Sequence, residues 1–234
     1  MARIDFHSHI LPGMDDGSRS VEESLAMLRA SAAYGVSTMV AAPHFYARHE
    51  SPEAFLARRT RALAALDAAR TAELPAVIPA AEVYFFAGMS AVDALDRLCI
   101  GDSRFLLLEM PFEPWSRSVV QEVIKLIHMR QITPVLAHIE RYLKFQRGTE
   151  RLDELLSCGA LAQMNAACVN GWRTRRSALR MIRDERVHLL GSDCHNMADR
   201  RPDLGAAYAV IERKLGRRTT DRIDDLGTYI LKQT

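Results

Sequence analysis

Short apolar runs alternate with longer amphipathic stretches along the whole chain. The runs are Ile4–His7, Val36–Pro43, Ala76–Val83, Phe105–Met110, Thr133–Ala137, Leu161–Asn165 and Val187–Gly191. Each is four to eight residues long and mostly continuous in hydrophobicity, the pattern of parallel strands buried on both faces. Between them, Ser20 with Glu23 three residues later forms a capping box. It predicts a helix to about Tyr34, with Gly35 as its stop. Pro52 opens a second helix, with Phe55, Leu56, Leu63 and Leu66 in one stripe and Arg58, Arg59 and Arg61 on the solvated side. Val119–Arg130, Glu150–Cys158, Arg175–Asp184 and Leu204–Leu215 supply further helices. No internal repeat or Gly/Pro/Ser linker interrupts the βα order. The chain is expected to be one α/β domain, residues 1–234, with a parallel sheet of about seven strands, closer to a barrel than to a two-layer sandwich.

Composition narrows the function. Hydrophobic residues make up 48% and charged residues 26% of the 234, which excludes a disordered or collagen-like chain. The 31 basic and 29 acidic residues leave a net charge of +2, so there is no global field to attract nucleic acid. Cys99, Cys158, Cys168 and Cys194 are scattered and form no CxxC pair, which argues against a disulfide framework and against a thiolate zinc site. There is no signal-peptide apolar core and no run of the ~18–20 apolar residues a membrane span needs. A soluble, cytoplasmic protein without membrane insertion is expected.

The chemistry lies where the runs end. Ile4–Phe6 leads into His7-Ser8-His9, and two histidines at i and i+2 on a strand project from one face, as a shared metal ion requires. Asp15-Asp16-Gly17 adds two carboxylates in a turn. The later runs end in His44, Glu82, Glu109, His138 and Asp193-Cys194-His195. At the C-terminal ends of barrel strands, residues of these types form a catalytic face. His49, Tyr46, Tyr84, Phe85 and Phe86 lie near these positions, and Arg173, Arg175 and Arg176 follow the sixth run, where they could meet acidic peptide flanks. Cys194 to Arg200 has the C-x5-R spacing of cysteine-dependent phosphatases, but the segment lacks glycine and carries Asp199, which would repel a phosphate dianion.

HSHILPGMDDG, APHF, AEVYF, LLLEMPF, LAHIERY and GSDCHN resemble the motifs of the polymerase and histidinol phosphatase (PHP) superfamily. The wording is most similar to the bacterial PHP-type protein tyrosine phosphatases encoded with capsular and exopolysaccharide genes. The resemblance implies a distorted (βα)7 TIM-like barrel holding three divalent ions. His7, His9, Glu82 and Asp193 would hold one; Glu82 would bridge to a second held by Glu109 and His138; Asp16, His44 and His195 would complete the third. Five imidazoles and four carboxylates suit Mn²⁺, with Fe, Co²⁺ or Zn²⁺ as alternatives. A metal-bound hydroxide would then hydrolyse phosphotyrosine. Arg141 would clamp the phosphoryl group. A second clamp is expected past His195, where spacing points to Arg200 and the following proline to Arg201. Tyr46 would contribute to substrate binding. The implied partner is a phosphotyrosine protein, an autophosphorylated bacterial tyrosine kinase governing polysaccharide export. A PHP phosphoesterase acting on a small phosphomonoester such as histidinol phosphate, or a non-catalytic metal-binding module, are the alternatives.

Overall fold

The computed structural model describes residues 3–233; Met1, Ala2 and Thr234, which the one-domain expectation also spans, lie outside the described residues. The strands are β1 (Arg3–Ser8), β2 (Val36–Ala41), β3 (His44–Phe45), β4 (Ala76–Pro79), β5 (Glu82–Tyr84), β6 (Phe105–Glu109), β7 (Thr133–Leu136), β8 (Leu161–Asn165) and β9 (Leu189–Gly191). The helices are α1 (Val21–Ala32), α2 (Pro52–Ala69), α3 (Arg117–Arg130), α4 (Glu150–Ser157), α5 (Ala166–Asn170), α6 (Arg175–Arg183), α7 (Leu204–Leu215) and α8 (Arg217–Leu231). Every strand pairing is parallel, in the order β1-β2-β4 in one sheet and β3-β5-β6-β7-β8-β9 in the other. The fold is α/β with curled parallel sheets.

Two of the predicted strands are broken. The run Val36–Pro43 leaves its sheet after Ala41, and β3 begins just beyond Pro43, which has no N–H to give the ladder. The run Ala76–Val83 splits at Ala80-Ala81, whose amides donate to Ala41 O at 2.8 Å and Leu98 O at 3.2 Å. Both breaks fall at one level, so the first halves belong to one sheet and the second halves to the other. The free edges also meet. Asp193 N–H donates to His7 O at 2.7 Å, His9 N–H donates to Cys194 O at 2.9 Å, and Ser8 and Cys194 form a parallel bridge. This seam brings the ligand candidates of β1 against those that follow β9.

Local chemistry sets the helix ends. The Ser20 hydroxyl accepts from Glu23 N–H, and the Glu23 carboxylate accepts from Arg19 N–H at 2.9 Å, one residue before the expected partner of a capping box. Gly35 has φ +78° and stops α1. Ser116 caps α3, which therefore starts before Val119. The short α5 and the charged α8 are not visible in the hydrophobic pattern.

Two apolar clusters sandwich the strands. Leu106, Leu108 and Leu136 pack with α1–α7, while Leu107, Val135 and Ala137 join Ile4, Phe6, Val40, Leu189 and, from α8, Ile230. Strand residues thus alternate between two cores, as fully buried parallel strands do. α8 closes onto β1 at Gly227, where an added Cβ would lie 2.6 Å from the Phe6 ring.

Candidate metal centre

The nine His, Asp and Glu residues expected as ligands converge at the C-terminal ends of the strands. The His7 and His9 Nε2 atoms are 3.1 Å apart. Glu82 sits among the imidazoles: its Oε2 is 3.2 Å from His7 Nε2, 3.4 Å from His9 Nε2 and 2.9 Å from His44 Nδ1, and its Oε1 is 2.8 Å from His138 Nε2. Glu109 Oε1 lies 3.5 Å from His138 Nε2. Asp193 Oδ1 lies 3.5–3.7 Å from ring nitrogens of His7, His9 and His195. Asp16 Oδ1 lies 3.6 Å from His44 and 3.4 Å from His195. Donor atoms come within 4.8 Å of one another in three groups: His9, Asp16, His44 and His195; His7, His9 and Glu82; His44, Glu82 and Glu109. His9 therefore also faces the third expected set, and His44 also faces Glu82.

Other residues hold these groups in place. The His9 Nδ1 is 2.7 Å from Asp15 Oδ2, which also accepts from His44 N–H. Asp15 is thus a support for the neighbouring ligand positions, while Asp16 is the exposed carboxylate reaching His44 and His195. Gln163 Oε1 lies 3.2 Å from His7 Nδ1 and accepts from His138 N–H at 2.8 Å. Gln163 donates to Asn165, which donates to Asp193 Oδ2 at 2.8 Å. The two are at i and i+2 on β8, whose apolar run leads into neither a histidine nor an acid; a glutamine inside that run was the available signal. Asp5, beneath the cluster, accepts from the backbone of His7 and Ser192, and burial pushes its carboxyl up to about 6. Gly191 allows β9 to approach, since a Cβ there would lie 2.5 Å from the His7 Cβ.

The backbone is strained at two of the expected ligand positions. His138 has φ +31° and Asp193 φ +53°, left-handed values that side-chain-bearing residues seldom adopt. Electrostatics follow the packing. Burial alone would pull the His9 ring down, but Asp15, Asp193 and Glu82 outweigh it and hold it well above its ordinary value. Burial likewise opposes the charge on His138, yet Glu109 and Glu82 hold it at about 9. Burial and the neighbouring His9 and Arg200 charges push His195 down to about 4. Burial disfavours the Glu82 carboxylate, but His7, His138 and His44 bring it well below its usual range. Glu82 Oε2 and His44 Nδ1, though 2.9 Å apart, are not aligned as a hydrogen bond, and the buried His138 Nδ1 and His195 Nε2 make none either. Orphaned buried acceptors and imidazole nitrogens fit a set of divalent cations better than they fit a hydrogen-bonded core.

Two openings flank the cluster. One, of about 310 Å³, is lined by Arg141, Asn165, Asp193, Arg200 and Arg201 among others. Arg141 reaches Asp193 Oδ2 at 3.2 Å; Arg200 donates to Asp193 Oδ1 at 2.9 Å and lies 3.7 Å from Asp16. The exposed Arg201 instead donates to Ala198 O, away from Asp193. The other opening, of about 370 Å³, includes Asp16, His44, Tyr46, His49 and Arg58. Arg58, assigned from its helix face to solvent, is bound there by Glu50 and by Met14 O. Tyr46 stands 5.4 Å from the His44 ring and 5.7 Å from Tyr84, and Phe112 stacks at 5.9 Å on His138. Cys194 is fully buried, and burial drives its thiol well above the ordinary value, which removes the thiolate that a C-x5-R mechanism needs.

The family described as "Capsular polysaccharide synthesis, CpsB/CapC" matches residues 3–226. The chain belongs to the CpsB/CapC family. Among its CpsB/CapC relatives, the tyrosine-protein phosphatase CpsB of Streptococcus pneumoniae is 32% identical over 228 residues, covering 91% of each chain. The tyrosine-protein phosphatase YwqE of Bacillus subtilis (strain 168) is 29% identical over 220 residues, 91% of this chain and 85% of its own. The solved structures of YwqE from Bacillus subtilis and CpsB from Streptococcus pneumoniae, described as unique metal-dependent tyrosine phosphatases, include a chain that superposes with a TM-score of 0.86 at 26% identity, covering 99% of this chain and 95% of that one. Among the described residues of this CpsB/CapC chain, no helix is long and apolar enough to cross a membrane.

Proposed function

We propose that the chain is a metal-dependent protein tyrosine phosphatase of the cytoplasm, one domain whose two sheets form a single distorted (βα)7 barrel. The observation that carries this reading is the convergence of Arg141 and Arg200 on Asp193, at the edge of a cluster of five histidines and four carboxylates of which all but His44 and the exposed Asp16 are buried. His7, His9, Glu82 and Asp193 would hold one ion, Glu109 and His138 a second shared with Glu82, and Asp16, His44 and His195 a third. Mn²⁺ suits this mixed nitrogen and oxygen set, with Fe, Co²⁺ or Zn²⁺ as alternatives. Bound there, divalent ions supply Lewis acidity and a water acidic enough to attack at neutral pH.

The protein's own groups do the rest. The guanidinium groups of Arg141 and Arg200 bind the phosphoryl oxygens, whose charge they stabilise as the bond to the phenol breaks. Arg200 takes this role in preference to Arg201 because only its guanidinium already faces Asp193. Tyr46 walls the opening against the substrate ring. Asp15 and Gln163 fix the His9 and His7 rings so that Nε2 of each faces inward. The substrate is a phosphotyrosine protein, an autophosphorylated bacterial tyrosine kinase being the partner that the capsule-related family description favours.

Turnover of a phosphotyrosine peptide and of histidinol phosphate, each with chelator and after Mn²⁺ is restored, tests the reading. The peptide should be hydrolysed, EDTA should abolish the reaction, and Mn²⁺ should restore it. Faster hydrolysis of histidinol phosphate would replace the substrate class. Full activity in excess chelator would remove the metals, and metal binding without turnover would leave a binding module.

A further inference from the structure

A groove of about 600 Å³ lies outside the metal centre, between α6 and the end of α7. Arg173, Arg176, Arg180, Arg183 and Lys214 line it, over a floor that includes Leu179 and Leu215, and no acidic side chain does. The four arginines fall at positions i, i+3, i+7 and i+10, so they stand in one row along α6 and its approach. Ala178, Met181 and Ile182, on the other face, are buried. Among the described residues, the side chains of Arg176, Arg180 and Lys214 make no hydrogen bond or ion pair; that of Arg183 reaches only the exposed Asp184, and that of Arg173 stacks at 4.8 Å on Trp172, itself 78% exposed. Like charges at these spacings weaken a helix. The chain carries a net charge of only +2, so the row is a local concentration, not a sample of a basic surface. Arg175, which the sequence grouped with Arg173 and Arg176, differs from them: it donates to Val169 O and Asn170 O and anchors the loop.

A chain of hydrogen bonds links the start of α6 to the rim of the site. Arg175 holds Asn170, Asn170 donates to Asp203, and Asp203 lines the opening that contains Arg141 and Arg200. From Arg176 to Arg183 the helix rises roughly 10 Å, the length of about three extended residues. We infer that this groove docks an anionic stretch of the phosphoprotein substrate, acidic or further phosphorylated residues flanking the phosphotyrosine, while the phosphotyrosine itself occupies the metal centre. Guanidinium groups suit both carboxylate and phosphate. The inference rests on the phosphatase reading, and its test separates the two.

The variant Arg180→Glu/Lys214→Glu reverses two charges that hold no partner, and Arg180→Gln/Lys214→Gln removes them more gently. The Mn²⁺-loaded enzyme is assayed on p-nitrophenyl phosphate and on phosphotyrosine peptides with neutral, glutamate-rich or phosphoserine-rich flanks. Binding of a fluorescent hexaglutamate peptide, which has no phosphotyrosine, is followed by anisotropy. With the Glu variant, KM for the two anionic peptides should rise roughly tenfold with kcat unchanged, hexaglutamate affinity should fall comparably, and added salt should erase the difference. The neutral peptide and p-nitrophenyl phosphate should be unaffected, which also shows that the variant folds; the Gln variant should fall between. The two anionic peptides tell which anion the groove prefers. Unchanged KM and hexaglutamate binding in both variants would overturn the inference. So would tighter groove-dependent binding of a single-stranded oligonucleotide or phosphatidylserine vesicles than of hexaglutamate. A wild type that binds hexaglutamate through the groove but hydrolyses no phosphotyrosine would fail the phosphatase reading instead.

Discussion

Arg141 and Arg200 flank the Asp193 carboxylate from two elements, so each can be tested against the other. Arg141→Ala should lose roughly 10–1000-fold in kcat/KM on p-nitrophenyl phosphate, the effect of one charge-assisted donor to a developing charge. Lysine should restore little, because an ammonium does not reproduce the planar fork. Arg200→Ala should lose a comparable factor and Arg201→Ala almost nothing; the reverse order would move the second clamp to Arg201. Cys194→Ala should keep most of kcat, since a buried thiol of raised pKa makes no nucleophile. The ion-free rings set the pH behaviour. His138 is held at about 9, above its ordinary 6.5, so the protonated ring stabilises the ion-free fold fully below 6.5 and this support is lost as pH rises through about 9. An incoming cation must displace that proton. Metal binding at pH 7 should therefore release protons and weaken as pH falls, read by calorimetry in buffers of different ionisation heat. The positions of the expected ligands were legible because strand ends carry them in plain alternation with apolar runs. The supports were not: Gln163 and Asn165 are ordinary polar residues until β8 sets them beside His7 and Asp193.

At the level of elements, β8 has a role its lack of ligands conceals. Gln163→Ala should weaken metal binding roughly 10–100-fold while leaving far-ultraviolet circular dichroism unchanged, in keeping with the loss of a residue that orients a ligand. An unchanged affinity would make Gln163 a packing residue. The helices with caps or terminal signals, α1, α2 and α3, were legible from Ser20, Pro52 and the stripe that follows Ser116. α8 was not, because its many charged residues hide the few that pack: Ile223, Gly227 and Ile230. Gly227→Ala should cost about 1–3 kcal/mol in urea unfolding, since its Cβ must displace the Phe6 ring beneath the site. The strand breaks at Pro43 and Ala80-Ala81 were hidden for another reason: apolar continuity says that a segment is buried, not which neighbour it pairs with.

Across the whole molecule, charge is arranged in two opposite ways. The candidate metal centre gathers carboxylates and imidazoles that hold one another's protons, while the α6 groove gathers cations that no buried carboxylate neutralises. The first arrangement makes stability depend on ligand binding: saturating Mn²⁺ should raise the melting temperature, and EDTA should reverse it, by an amount that grows with the logarithm of free metal. An unchanged transition would show that these residues form a self-sufficient core.

The seam between Ser8 and Cys194 has a consequence in time. His7 and His9 are synthesised before Asp193, which follows His7 by 186 positions. At ~5–20 residues per second that separation is on the order of ten to forty seconds on the ribosome. Throughout it the His7 and His9 imidazoles have no partner across the seam, and that edge of β1 stands open. The contact then brings together two segments far apart in the sequence, a slow kind of encounter. The expected ligand set therefore stays incomplete until the segment after β9 has been made and has met β1, and a cation that needs both halves can be held only from then on.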